Sequence, residues 1–270
     1  MKTFGVIIEK GPMNWQVLQQ KGGSADISLE GSVYLNPEYI CLDPKKEHPL
    51  QVFVRLFDES DNRILSDGIK AEMEEDGHWR CIIKSVPAGG PYRIETCMWN
   101  DPEEQLFEWS TRGDIRHHIC VGDVFFIAGQ SNAVGYGRDF VYDPPELGIH
   151  MMRENGQWDL ASHPLHDCTD TIFPVHLDGA NPGHSPFLAF ARTLKRIHKW
   201  PVGLIMGAKG GCMLERWNPM EDGRYYRNML EMIRYQGGSI RAVLWYQGCS
   251  DTEYEDTASS YKRRLKNVIL

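Results

Sequence analysis

The chain has 270 residues, 41% hydrophobic and 24% charged, with a formal net charge of -8 and a pI near 5.7. That length exceeds one typical domain and suits two, and the apolar fraction is ample for a packed core. The acidic balance argues against a general attraction to nucleic acid or to an anionic membrane surface.

The first apolar run, Gly5-Val6-Ile7-Ile8, is broken by Glu9. It is too short for a secretory signal core or a membrane span. The seven cysteines (41, 81, 97, 120, 168, 212 and 249) are odd in number and contain no CxxC pair, and no HExxH occurs among the ten histidines. A reducing compartment, the cytoplasm, is therefore expected, with no zinc spacing, no metal and no cofactor.

From residue 1 to about 118, short strand-like runs alternate with turn signals. The runs are Ser32-Val33-Tyr34-Leu35, Gln51 to Phe57, Trp79 to Ile83 and Tyr92 to Trp99. Asp58-Glu59-Ser60-Asp61-Asn62, Glu75-Asp76-Gly77 and Pro87-Ala88-Gly89-Gly90-Pro91 separate them. Runs of strand length without helical period predict an all-β sandwich or barrel.

The pattern changes at about Ile119. Asp123 to Ala128, Val202 to Met206 and Ala242 to Tyr246 are near-continuous apolar runs, as in parallel strands covered on both faces. Helical stripes alternate with them: Phe187, Phe190, Ala191, Leu194 and Ile197, then Met229, Met232 and Ile233, then Tyr261, Leu265, Val268 and Ile269. Strand–helix alternation predicts an α/β layered domain over 119–270.

Each apolar strand runs directly into chemistry. The sequels are Gly129-Gln130-Ser131-Asn132, Ala208-Lys209-Gly210-Gly211-Cys212 and Gln247-Gly248-Cys249-Ser250-Asp251. In open α/β sheets the carboxyl ends of the strands form the ligand crevice, so three such loops can converge on one site. A hydroxyl nucleophile needs access, a base and donors for the oxyanion. Ser131 beside a glycine offers access, Gly211 an unobstructed N–H, and Gln247 or Ser250 a side-chain donor.

These segments resemble a known family. Val121 to Asn132 looks like the GDVW…SGQSNM segment of sialate O-acetylesterases and related SGNH carbohydrate esterases. Gly210 to Trp217 is similar to their GGT..E.W segment, and Leu244 to Asp251 to their WYQGES[ND]. Ala88-Gly89-Gly90-Pro91-Tyr92 resembles the AGGPY of the β-rich domain that precedes the hydrolase. The motifs run in order from about residue 76 to 265.

The resemblance implies a three-layer SGNH-hydrolase domain with a parallel sheet, preceded by a β-sandwich-like domain over 1–118. It implies hydrolysis of an acetyl ester on a sugar, sialic acid first, by Ser131. The Ser131 N–H, Gly211 and Gln247 would form the oxyanion hole, with Ser250 in reserve. Asn132, Arg216 and Trp217 are candidates for holding the sugar, although a packed Trp217 and a surface Arg216 are equally compatible with the sequence. Cys212 replaces the family's threonine and Cys249 its glutamate.

The family's base histidine lies in an Asp-x-x-His segment after the third motif, whereas the last histidine here is His198. With an uncapped final stripe, this leads to the expectation of a chain cut short of its base; His184, before a helix, is the alternative base. His117-His118 belong to the link between halves, with metal binding a weaker option. The expected partner is a small O-acetylated sugar, with no nucleic acid and no membrane, and self-association stays open. An acetylxylan or other polysaccharide acetylesterase, and a carbohydrate-binding protein on a degenerate esterase fold, are the alternatives.

Overall fold

The structure, a computed structural model, describes residues 5–34, 51–99, 110–178 and 181–270. The first four residues, Leu35 of the first expected strand run and Cys41 lie outside them. The chain divides into two compact units. One comprises residues up to Trp15 and Gln20–Val121, the other Gln16–Gln19 and Gly122–Leu270. The division falls at Val121, a few residues past the change in residue pattern at 118–119.

In chain order the strands of the first half are β1 (Gly5–Lys10), β2 (Val17–Gln19), β3 (Ser24–Tyr34), β4 (Gln51–Asp58), β5 (Arg63–Lys70), β6 (Glu72–Met73), β7 (His78–Pro87) and β8 (Gly89–Trp99). All but β2 belong to the first unit, together with residues 111–121 of β9 (Thr111–Gly129). They form two antiparallel assemblies, β1-β3-β7-β6 and β9-β8-β4-β5. In β7, Trp79, Cys81 and Ile83 are buried while the residues between them are exposed, the period-2 signature of a strand with one covered face. The β4–β5 turn is set by its acids. Asp58 accepts from the Ser60 N–H and Asp61 from the Arg63 N–H, both at 3.0 Å.

The second unit is built on a mixed sheet. After β9 come α1 (Ser131–Val134), β10 (Ile149–Met152), β11 (Trp158–Leu160), α2 (Phe187–His198), β12 (Val202–Met206), α3 (Arg224–Tyr235), β13 (Ala242–Tyr246) and α4 (Glu255–Ile269). The strand order is β11-β10-β12-β9-β13, parallel except for β11. All five residues of β12 are buried, as its unbroken apolar sequence predicts. Phe187, Leu188 and Ala191 of α2 pack on Phe125, Ile127, Ile149, Met151, Val202 and Leu204 of the sheet. Lys199, in the left-handed conformation, ends α2 by donating its N–H to Lys195 O.

β13 departs from expectation. Its residues are exposed or half-buried, Tyr246 at 48%, because among the described residues it pairs on one side only, with β9. The apolar run identified a strand but not its position in the sheet. Likewise α4 buries none of its stripe, and Ile269 is 73% exposed. Among the described residues no helix is long and apolar enough to cross a membrane.

Candidate active site

Parallel strands deliver their carboxyl ends to one edge of the sheet, which brings the three loops together. Gly129 closes β9 at φ +144°, and a Cβ there would sit 2.1 Å from Tyr246 O, so only glycine lets β9 and β13 approach at this point. Ser131 then opens α1, with the carbonyl of Gln130 accepting from the Ala133 and Val134 N–H groups.

The loops are fastened by side chains. The first and third are joined by Gln130, 3% exposed. Its Nε2 donates to Ser250 Oγ at 3.1 Å, and its Oε1 accepts from the Gly248 and Ser250 N–H groups, both at 3.1 Å. The first and second meet where Gly129 O accepts from Lys209 N at 3.1 Å and from Cys212 Sγ at 3.2 Å. The second and third are joined by Asp251, fully buried, whose two oxygens each lie 3.1 Å from the Leu214 N–H. Asp178 accepts from Gly210 N at 2.8 Å and faces Lys209 Nζ at 3.4 Å, holding the glycine turn from outside.

Ser131 itself is half-buried, and its hydroxyl forms no hydrogen bond with any described residue. Its N–H and that of Gly211 are likewise not donated within the described residues. Gly211 adopts φ +65°, and nothing lies within 4 Å of where a Cβ would project. Asn132 is exposed, and its Nδ2 reaches Cys249 Sγ at 3.5 Å. Arg216 is exposed and enters no ion pair among the described residues.

Two expected roles need correction. The Gln247 amide donates to Cys212 O at 3.1 Å and to Asp251 Oδ2, so both its N–H bonds are taken and neither is free for an oxyanion. Gln247 is a loop fastener. Ser250, the reserve donor, is buried and accepts from Gln130. Trp217 is fully buried, edge-on to Trp245 at 5.3 Å and tilted on Tyr225 at 5.5 Å, so it has no face for a sugar. Its Nε1 donates to Cys212 Sγ at 3.2 Å, and burial pushes the Cys212 thiol up to about 11, so at neutral pH that sulfur is an uncharged packing group.

The histidines upstream make other contacts. His184 pairs its backbone with Gly137, and its ring stands edge-on to His163 at 4.8 Å. His163 is held by Asp143 at 2.9 Å. Neither ring hydrogen-bonds the Ser131 hydroxyl. Glu154, His166 and His176 form a buried group of metal-ligating type that the sequence did not reveal, because spacings of twelve and ten residues match no ligand motif.

Asp251→Ala is expected to lower the unfolding free energy by about 3 kcal/mol. It removes a buried carboxylate and strands the Leu214 N–H and the Gln247 amide. Denaturant unfolding checks this; an unchanged midpoint and slope would mean that the fastening carries no weight.

A family model described as carbohydrate esterase, sialic acid-specific acetylesterase, matches residues 121–270. A probable carbohydrate esterase of Arabidopsis thaliana is 32% identical over 177 residues, covering 58% of this chain. The chain spans 65% of that relative's length. Among solved structures, an Arabidopsis thaliana protein aligns at 29% identity and TM-score 0.47, over 55% of this chain and 66% of its own. A carbohydrate acetylesterase from Xanthomonas citri aligns at 17% identity and TM-score 0.48, over 96% of this chain and 56% of its own.

Proposed function

The chain belongs to the carbohydrate esterase, sialic acid-specific acetylesterase family, and from that premise we propose that it is a serine esterase removing O-acetyl groups from a carbohydrate, with Ser131 as nucleophile. The fold that goes with this reading is a three-layer SGNH hydrolase preceded in the chain by a β-sandwich-like domain. The observation that supports it is that the three loops are fastened to one another and, among the described residues, carry a hydroxyl without a hydrogen bond at Ser131 and undonated N–H groups at Ser131 and Gly211.

In the proposed reaction the Ser131 oxygen attacks the acetyl carbon and loses its proton to a base. The Ser131 and Gly211 N–H groups receive the negative charge on the carbonyl oxygen. Collapse breaks the bond from the acyl carbon to the sugar oxygen, which leaves with the proton that the base took from Ser131; water then adds to the acyl-serine, releasing acetate and restoring the Ser131 hydroxyl. Because no described histidine hydrogen-bonds Ser131, proton removal is the slow element for this chain. Added imidazole is expected to raise its turnover several-fold. An imidazole-independent rate would assign the base to His184 or His163 after rearrangement.

Sialic acid is the favoured sugar because the matching family model is described as sialic acid-specific, and Arg216, exposed and beside Tyr225, is the cation proposed to meet the substrate carboxylate. Arg216→Ala is expected to raise KM about tenfold for an O-acetylated sialic acid, equivalent to about 1.4 kcal/mol, and to leave a neutral acetylated xylan unaffected. Hydrolysis of both substrates by one preparation tests the reading. Faster turnover of acetylated xylan, with no response to Arg216→Ala, would favour a polysaccharide acetylesterase. Sugar binding without hydrolysis would favour a binding protein on this fold.

A further inference from the structure

We propose that Glu154, His166 and His176 form a buried binding site for a zinc-type divalent cation, lying behind the glycine turn rather than at Ser131. Glu154 follows β10, His166 lies in the loop after β11, and His176 ends a short 3-10 turn. Their side chains are 4%, 1% and 0% exposed.

The three groups face one another as ion-pair partners once the rings are protonated, but the contacts between them are not aligned as hydrogen bonds. His176 Nε2 lies 2.7 Å from Glu154 Oε2, and His166 Nδ1 lies 3.2 Å from Glu154 Oε1. Yet Glu154 Oε1, His166 Nδ1 and His176 Nε2 have no aligned hydrogen-bond partner. Leaving buried polar atoms unsatisfied costs about 1–3 kcal/mol each. One cation held by all three removes that cost. Donors at about 2.1 Å from a common tetrahedral ion stand roughly 3–3.5 Å apart and are directed at the ion, not at each other.

The outer nitrogens are already provided for, as in metal centres. His166 Nε2 meets Cys168 Sγ at 3.4 Å, leaving Nδ1 toward Glu154. His176 Nδ1 meets the Asn228 amide at 2.8 Å, and Asn228 Oδ1 is itself buried without a partner. Turning that amide over lets Oδ1 accept from Nδ1–H and leaves the Nε2 lone pair for the ion. Two imidazoles and one carboxylate suit zinc and its first-row neighbours over magnesium or calcium, which favour all-oxygen sites.

The site can act at a distance. Asp178, two residues after His176, accepts from Gly210 N at 2.8 Å. A cation fixing His176 therefore stiffens the turn that presents the Gly211 N–H. That consequence rests on the esterase reading, whereas the binding site does not.

The test is zinc itself. Chelator-stripped protein is dialysed against zinc chloride and its metal content measured. The wild type is expected to retain one equivalent and to unfold several degrees higher than the stripped form. His118→Ala, which breaks the exposed pair of histidines around Glu59, is expected to retain the same amount. His176→Gln and Glu154→Gln are expected to retain little or none. Should both variants fail to fold, nitrogen-15 spectra of the wild-type imidazoles decide, with zinc expected to move two buried rings. No retention by folded wild type, equal retention by folded His176→Gln, or movement of exposed rings alone would overturn the proposal.

Discussion

Ser131→Ala is expected to remove the serine-dependent turnover of an O-acetylated sugar, including all of the part raised by imidazole, while leaving the unfolding midpoint unchanged. The first part follows from losing the covalent route, after which only binding and oxyanion stabilisation remain. The second follows from the structure around the residue. The Ser131 hydroxyl is half-buried and forms no hydrogen bond with the described residues, so its removal strands nothing. The loops are held instead by Gln130, Cys212, Gln247 and Asp251. Retained hydrolysis by a folded Ser131→Ala protein would place the nucleophile elsewhere. Cys249, exposed and next to Asn132, would then be the first residue to exchange.

The second large effect is on stability. Trp217→Ala is expected to cost about 4 kcal/mol, the usual penalty for emptying a fully buried tryptophan site. The cavity would open between Trp245 and Tyr225, and the N–H donor to Cys212 would be lost with the ring. Calorimetric unfolding measures the loss, and KM measured well below the lowered midpoint should stay near the wild-type value. A variant as stable as the wild type but with a raised KM would return Trp217 to the sugar site.

Much of this architecture is legible in the sequence. Unbroken apolar runs gave β9 and β12, and the polar residues just after the strands marked the loops that meet. The stripe of α2 correctly identified a helix, with Phe187 and Ala191 buried, although Ile197 is 64% exposed. Periodicity reports local conformation, but burial depends on what the rest of the chain supplies. That is why β13 and α4, with similar apolar patterns, lie half-buried or exposed rather than in the core.

Side-chain assignments were less legible. Trp217 reads as a sugar platform because an aromatic beside an arginine suits one, but only packing reveals that Trp245 and Tyr225 enclose it. Gln247 has the chemistry of an oxyanion donor, yet the acceptors that occupy it, Cys212 O and Asp251, are brought to it by folding. Asp178 carries no motif at all, and its role depends on a turn thirty-two residues away in sequence. The Glu154, His166 and His176 group was invisible for the same reason, since loops rather than a repeat bring the three together.

The central claim, that Ser131 is the reacting residue, is tested most directly by a fluorophosphonate probe with the adduct mapped by peptide mass. A single adduct on Ser131, lost in Ser131→Ala and slowed by an O-acetylated sugar, is the predicted result. An unlabelled Ser131 in a preparation that hydrolyses the sugar ester, or an adduct on another residue, would contradict the account.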